Sequence, residues 1–135
     1  MTPTPGRGVA ARRWRSGSML TVTEMESEGI VEHAKHIGDD LLAPGLAALA
    51  EKHAIIGEVR GEGVFWALEL VADRDTREPV GPAVIGQLKK ELTSRGLLPF
   101  AADNRIHVVP PCVVTEDEVQ QALAIYDEAF TAVQA

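Results

Sequence analysis

Residues 55–71 read IIGEVRGEGVFWALELV, and this stretch decides the fold. It predicts two short strands meeting at Gly61-Glu62-Gly63. The second, Val64–Val71, is apolar at nearly every position. A strand apolar on both faces is expected to be covered on both faces. Gly61 and Gly63 mark a sharp turn or a close approach of the backbone.

Helical patterns flank this stretch and supply the expected cover. Upstream, Met19–Glu28 has helical spacing and is stopped by Gly29. From Ile30 to about His53, the residues Ile30, Ala34, Ile37, Leu41, Leu42, Leu46 and Leu49 fall on one face. Glu32, His33, Lys35, His36, Asp39 and Asp40 fall opposite. Pro44-Gly45 interrupts the run, which predicts a kink or two helices. Downstream, the charged segment Ala72–Val80 reads as an exposed loop.

Gly81-Pro82 then opens a helix whose buried face is Val84, Ile85, Leu88 and Leu92, with Gly96 as its stop. Leu97–Phe100 and Arg105–Val109 are short apolar segments joined by Ala101-Ala102-Asp103-Asn104, a hairpin pattern. Pro110-Pro111 ends it. Thr115 and Glu118 form a capping box for a last helix lined by Val119, Leu123, Tyr126, Phe130 and Val133. The expected fold class is α+β: a short, mainly antiparallel sheet of three to four strands covered by helices.

At 135 residues the chain holds one domain with a tail. Its net charge of -7 argues against a nucleic-acid binder. The single cysteine, Cys112, permits no internal disulfide, and a reducing, cytoplasmic setting fits it. No apolar run reaches the ~18 residues needed to span a membrane. Residues 1–18 contain Arg7, Arg12, Arg13 and Arg15 and no acid, whereas the rest is acidic. That opening reads as a targeting peptide, a basic arm, a disordered tail, or the unrelated start of a truncated or misread product. The domain proper is expected over residues 19–135.

Several side chains invite a chemical reading. Period-two alternation puts Arg105 and His107 on one strand face, where an arginine can bind a carboxylate bidentately. The alternative is a surface ion pair with a nearby acid. Arg60 can reach an anion, or tie its strand to Glu58 or Glu69. Trp66 can stack on a ligand, or pack in the core. His33 and His36 have a spacing that permits a metal, but no third ligand suggests itself and a solvated face is expected. Cys112 reads as a half-buried, inert thiol. No catalytic residue, metal site or cofactor-binding residue is assigned. The four lysines, Lys35, Lys52, Lys89 and Lys90, all read as solvated.

The segment GEVRGEGVFWALELVADRDTREPV (57–80) resembles the start of the small C-terminal domain of class III, fold-type I, pyridoxal-phosphate-dependent aminotransferases. RGLLPFAADNRIHVVPPCVVTEDEV (95–119) resembles its later part. The two occur in the right order at the right distance. The resemblance implies a small domain or fragment of a homodimeric transaminase, which moves an amino group between an amine or amino acid and a keto acid such as pyruvate or 2-oxoglutarate. It implies pyridoxal 5'-phosphate in the intact enzyme, with the Schiff-base lysine in a large domain that would be this domain's partner. No context resembling that lysine's occurs here, so the chain alone is expected to be inactive. The resemblance places two substrate-binding arginines of family members at Phe100 and His107. With Arg105 and Arg60 these complete the candidate substrate-binding set. The rival reading is a stand-alone, non-enzymatic α+β module that binds a protein partner or a small carboxylate.

Overall fold

The structure, a computed structural model, describes residues 18–134. Almost all of the basic opening segment lies outside the described residues. The chain forms two compact units, one ending at Glu32 and one running from His33 onward. In the first, helix α1 spans residues 18–27, and Gly29 follows it with φ +63°. Helix α2, Ile30–His36, contributes His33 and His36 to the second unit.

The second unit continues with a π-helical segment, Ile37–Leu42, and helix α3, Ala43–Lys52. Pro44 explains the π-helix. Proline lacks an N–H, and its ring clashes with the carbonyl four residues back in a regular α-helix. Widening the preceding turn relieves that clash, and the Ala43 N–H donates to Gly38 O, five residues back. The proline therefore sits in the first turn of α3 without breaking the run.

Strands β1 (Ile56–Glu62) and β2 (Phe65–Asp73) form the expected hairpin, turning at Gly63-Val64. The two-residue β3 (Glu78–Pro79) pairs with the end of β2. Helix α4 (Pro82–Ser94), β4 (Phe100–Ala102), β5 (Arg105–Val108) and α5 (Glu116–Gln134) follow. The sheet order is β1-β2-β5-β4, antiparallel throughout. The α+β expectation holds.

One sheet face is the core. Ile56, Leu68, Leu70, Ile106 and Val108 are buried against Leu46 and Leu49 of α3, Leu88 and Leu92 of α4, and Tyr126 and Phe130 of α5. The other face is open, which corrects the expectation of cover on both sides. Phe65 is 60% exposed and Phe100 68%. The apolar run of β2 overstated burial because Ala67 and Phe65 point away from the helices.

A bulge sets which residues reach the open face. The register of β1 against β2 shifts between Ile56 and Glu58. Two residues then oppose one, and the strand's alternation inverts. Ile56 is buried while Glu58, Arg60 and Glu62 take the open side. Gly57 sits in this bulge, where a Cβ would meet Val71 Cγ1 at 2.7 Å.

Segment 72–80 is more than the expected loop. Besides β3, it carries Arg74, whose guanidinium donates to Ala50 O, to His53 O (3.0 Å), to Ala54 O (3.1 Å) and to Ile56 O (2.9 Å). These are carbonyls at and just past the end of α3, where a cation offsets the helix dipole. The capping box of α5 forms as expected: Thr115 N–H donates to Glu118 (2.9 Å), and Glu118 N–H to Thr115 Oγ1 (3.2 Å). The Thr115 backbone N–H, and after it the Thr115 hydroxyl, hold the Glu118 carboxyl below the usual range.

His33 and His36 are not simply solvated. His33 Nε2–H donates to Val114 O at 2.7 Å. His36 meets Glu116 through Nε2 and Asp40 through Nδ1, each at 2.6 Å. Together they tie α2 to the start of α5. Because two carboxylates face the two ring nitrogens, first Glu116 and then Asp40 raise the His36 pKa. The folded value therefore exceeds the unfolded one of about 6.5. The stabilisation is complete below that value and is lost as pH rises through the folded pKa. Stability should fall as pH increases from about 6.5 upward, and His36→Gln should flatten that part of the profile. Urea melts of both proteins across pH check this; parallel profiles would remove His36 from the account.

Gly38 packs its backbone on the β1–β2 turn, so that a Cβ would lie 2.3 Å from Gly63 O. Helix propensity alone favours Gly→Ala by roughly 0.5–1 kcal/mol. At Gly38 the clash should outweigh this, giving a loss of about 1–3 kcal/mol. Gly86, on α4 with nothing near its Cβ position, should gain the full propensity term. Denaturant midpoints of Gly38→Ala and Gly86→Ala should therefore move in opposite directions.

Candidate functional site

The open face is ordered in rows by strand register. Arg60 pairs with Ala67, Ala67 with His107, and His107 with Phe100. Paired residues in an antiparallel sheet point to the same side. Three of the four candidate residues thus lie in one row across the sheet. The next row runs Glu58, Glu69, Arg105, Ala102. It brings in the fourth, Arg105, on the same face as His107.

Ala67 is the only small side chain between Arg60 and His107 in the first row. Neighbouring strands lie about 4.8 Å apart, so the flanking residues stand roughly 10 Å apart with a notch between them. One wall is aromatic: His107 lies 5.2 Å from the Phe100 ring and 6.1 Å from Phe65. Beyond Phe100 this wall continues into a cavity of about 310 Å³ lined by Leu97, Leu98, Pro111 and Tyr126 among others. Burial pushes the Tyr126 phenol up to about 12, so it stays a protonated side chain.

The charges on this face are unequal in their ties. Arg60 Nη2 donates to Glu69 at 3.2 Å, and its Nε lies 3.8 Å from Glu58. Glu58 is held again by Arg77 at 2.8 Å. Among the described residues, Arg105 has only Asp103 at 3.7 Å, an acid whose side chain is 87% exposed. That distance is an ion pair but not a hydrogen bond.

Other candidates go elsewhere. Trp66 belongs with the core side and donates its Nε1–H to Gly63 O at 2.7 Å. Cys112 is exposed rather than half-buried, because it follows Pro111 in the loop before α5. Among the described residues no three His, Cys, Asp or Glu side chains are placed to hold a metal. No helix among them is long and apolar enough to cross a membrane.

One cluster carries no linear signal at all. His53, 2% exposed, donates from Nε2 to Asp127 at 2.6 Å, and Lys52 reaches the same carboxylate at 2.6 Å. Lys52 and then His53 hold the Asp127 carboxyl below its usual range. The partners are more than seventy residues apart in sequence, so only the docking of α5 on α3 brings them together.

The family described as "Aminotransferase class-III" matches residues 16–130. The taurine–pyruvate aminotransferase of Bilophila wadsworthia is 35% identical over an alignment of 128 positions that covers 88% of this chain and 27% of that protein. That of Rhodobacter capsulatus is 33% identical, over 85% of this chain and 26% of that protein. Among solved structures, an amine transaminase from an uncultivated Pseudomonas species, with pyridoxal phosphate bound, superposes with a TM-score of 0.77 at 34% identity. It covers 84% of this chain and 26% of its own. A taurine:2-oxoglutarate aminotransferase from Bifidobacterium kashiwanohense, in complex with pyridoxal phosphate and glutamate, gives 0.76 at 29% identity, covering 83% and 26%. The chain thus spans about a quarter of the length of these relatives.

Pyridoxal phosphate is the cofactor of the intact family enzymes, and the residues of this chain do not fit it. Lys35, Lys89 and Lys90 are exposed on helices, and Lys52 is paired with Asp127. None is on the open sheet face. The two motif segments, the antiparallel sheet with its helices on one side and the family match across residues 16–130 agree, and the chain belongs to the class-III aminotransferases.

Proposed function

We propose that this chain is the small C-terminal domain of a pyridoxal-phosphate-dependent transaminase that moves an amino group between an amine or amino acid and a keto acid. Its open sheet face is the wall that meets substrate. The observation that carries this reading is the gathering of Arg60, His107, Phe100 and Arg105 on two adjacent rows of one uncovered face. The amino transfer itself needs groups that these residues do not include. What they supply is binding and orientation.

Arg105 holds the acid group of a substrate. It is the cation on this face with no hydrogen bond to a described residue, so its guanidinium fork is free to take two oxygens. Phe65, Phe100 and His107 form the apolar side of the same wall. The relatives named for taurine act on a sulfonate, and a guanidinium suits that group as well as a carboxylate. The exposed apolar residues Phe65, Leu98 and Phe100 are the surface against which the large domain, or a second copy in a homodimer, packs. The setting is cytoplasmic.

The test places this domain on the remaining part of a taurine–pyruvate aminotransferase. Arg105→Ala should lower kcat/KM for a keto-acid acceptor roughly ten- to a hundred-fold and spare a neutral aldehyde, since a charged hydrogen-bonded pair is worth about 1.5–3 kcal/mol. Arg105→Lys should recover only part of it. Equal losses for both acceptors would assign Arg105 to the fold, and no change would leave the acid to other residues.

A second measurement uses the chain by itself. Incubated with pyridoxal phosphate and then borohydride, it should show no stoichiometric label on any one lysine by mass spectrometry. Complete labelling of a single lysine would contradict the assignment of the cofactor site to other parts of the enzyme.

A further inference from the structure

We infer that Glu69 is a positioning residue that sets the affinity of the open face for an acid group, by holding Arg60 out of the site. This rests on the proposed role of Arg105. Glu69 stands on the central strand with its side chain 22% exposed, directly opposite Glu58 on one side and Arg105 on the other. Two glutamates facing each other across strands repel. Arg60 relieves that repulsion by bonding Glu69 and lying near Glu58, while Arg77 takes up Glu58 separately. Arg60 is thereby spent on the sheet itself.

Arg105 faces the same Glu69 yet makes no ion pair with it; the acid near Arg105 is Asp103, in the β4–β5 turn. Glu69 thus decides between two arginines, Arg60 beside the Ala67 notch and Arg105 in its own row. It occupies one and leaves the other available. Its own charge also opposes any anion arriving beside Arg105. Both effects limit the binding of an acid, and both depend on Glu69 being ionised and not on its packing.

The experiment uses the full 135-residue chain. It is titrated with acetate and, separately, methanesulfonate at constant ionic strength, following the side-chain Nε–Hε resonances of Arg60 and Arg105. In the wild type, Arg105 should shift with either probe and Arg60 should stay still. In Glu69→Gln both should shift, and the apparent Kd should fall roughly 1.5- to 5-fold, the range expected for releasing one partly exposed ion pair. Glu69→Asp keeps the charge and should behave as the wild type.

Glu58→Gln removes the same charge from the same face without freeing Arg60, and should change the affinity less. If it strengthens binding as much as Glu69→Gln, overall charge explains the effect and the role of Glu69 is overturned. Glu69→Gln with an unresponsive Arg60 and an unchanged Kd overturns it too, while leaving Arg105 as the acid site. No response of Arg105 in the wild type overturns the reading of Arg105 itself, and this inference with it.

Discussion

Leu68 and Leu70 have no exposed surface, and most of the second unit is placed by what covers them. They lie two apart on β2, so one side of the central strand must face the helices. Complete burial of a leucine side chain contributes roughly 1.5–3 kcal/mol, and Ile56, Ile106 and Val108 extend the same layer on the neighbouring strands. Three helices are then needed over a single face. The opposite face is left to whatever its side chains require, and most of these are charged or aromatic.

This constraint explains why the candidate site is a surface and not a cleft within the chain. Register fixes the rows, and the bulge at Gly57 fixes which side Arg60 takes. Without the bulge, the residues that share a side with Ile56 would be Glu58, Arg60 and Glu62, and they would point into the core. A one-residue irregularity in β1 therefore separates a buried-charge failure from an ordered polar face. Gly57 is suited to it because Val71 leaves no room for a side chain.

Much of this was legible in linear pattern. Helical period located the buried faces of α4 and α5, Thr115 and Glu118 announced a cap, and alternation placed Arg105 and His107 together. The misses have one physical origin, which is tertiary context. The apolar run of β2 could not say that its second face stays uncovered, since Ala67 and Phe65 look alike whether buried or not. His53 and Asp127 carry no mutual signal across the intervening chain, and Arg74 in a charged segment looked like any exposed arginine until the end of α3 was seen to lie beside it. Cys112 and the histidines of α2 erred in opposite directions for the same reason. A loop after two prolines left the thiol outside, and the docking of α5's first turn drew the imidazoles in.

The geometry of the rows also bears on substrate reach in the proposed function. The resemblance puts one family arginine at His107, whereas the arginine of this face without a hydrogen bond to a described residue is Arg105. Both side chains share a face, and two residues along a strand span about 7 Å. An acid group held by Arg105 therefore sits about that much farther along the sheet, toward the β4–β5 turn, than one held from position 107. The displaced charge leaves His107 between two phenylalanine rings, where an arginine would have brought a permanent cation. The wall is consequently apolar at position 107 and cationic one row away. A substrate that satisfies both rows carries an apolar part against Phe65, Phe100 and His107 and an acid separated from it by the width of one row.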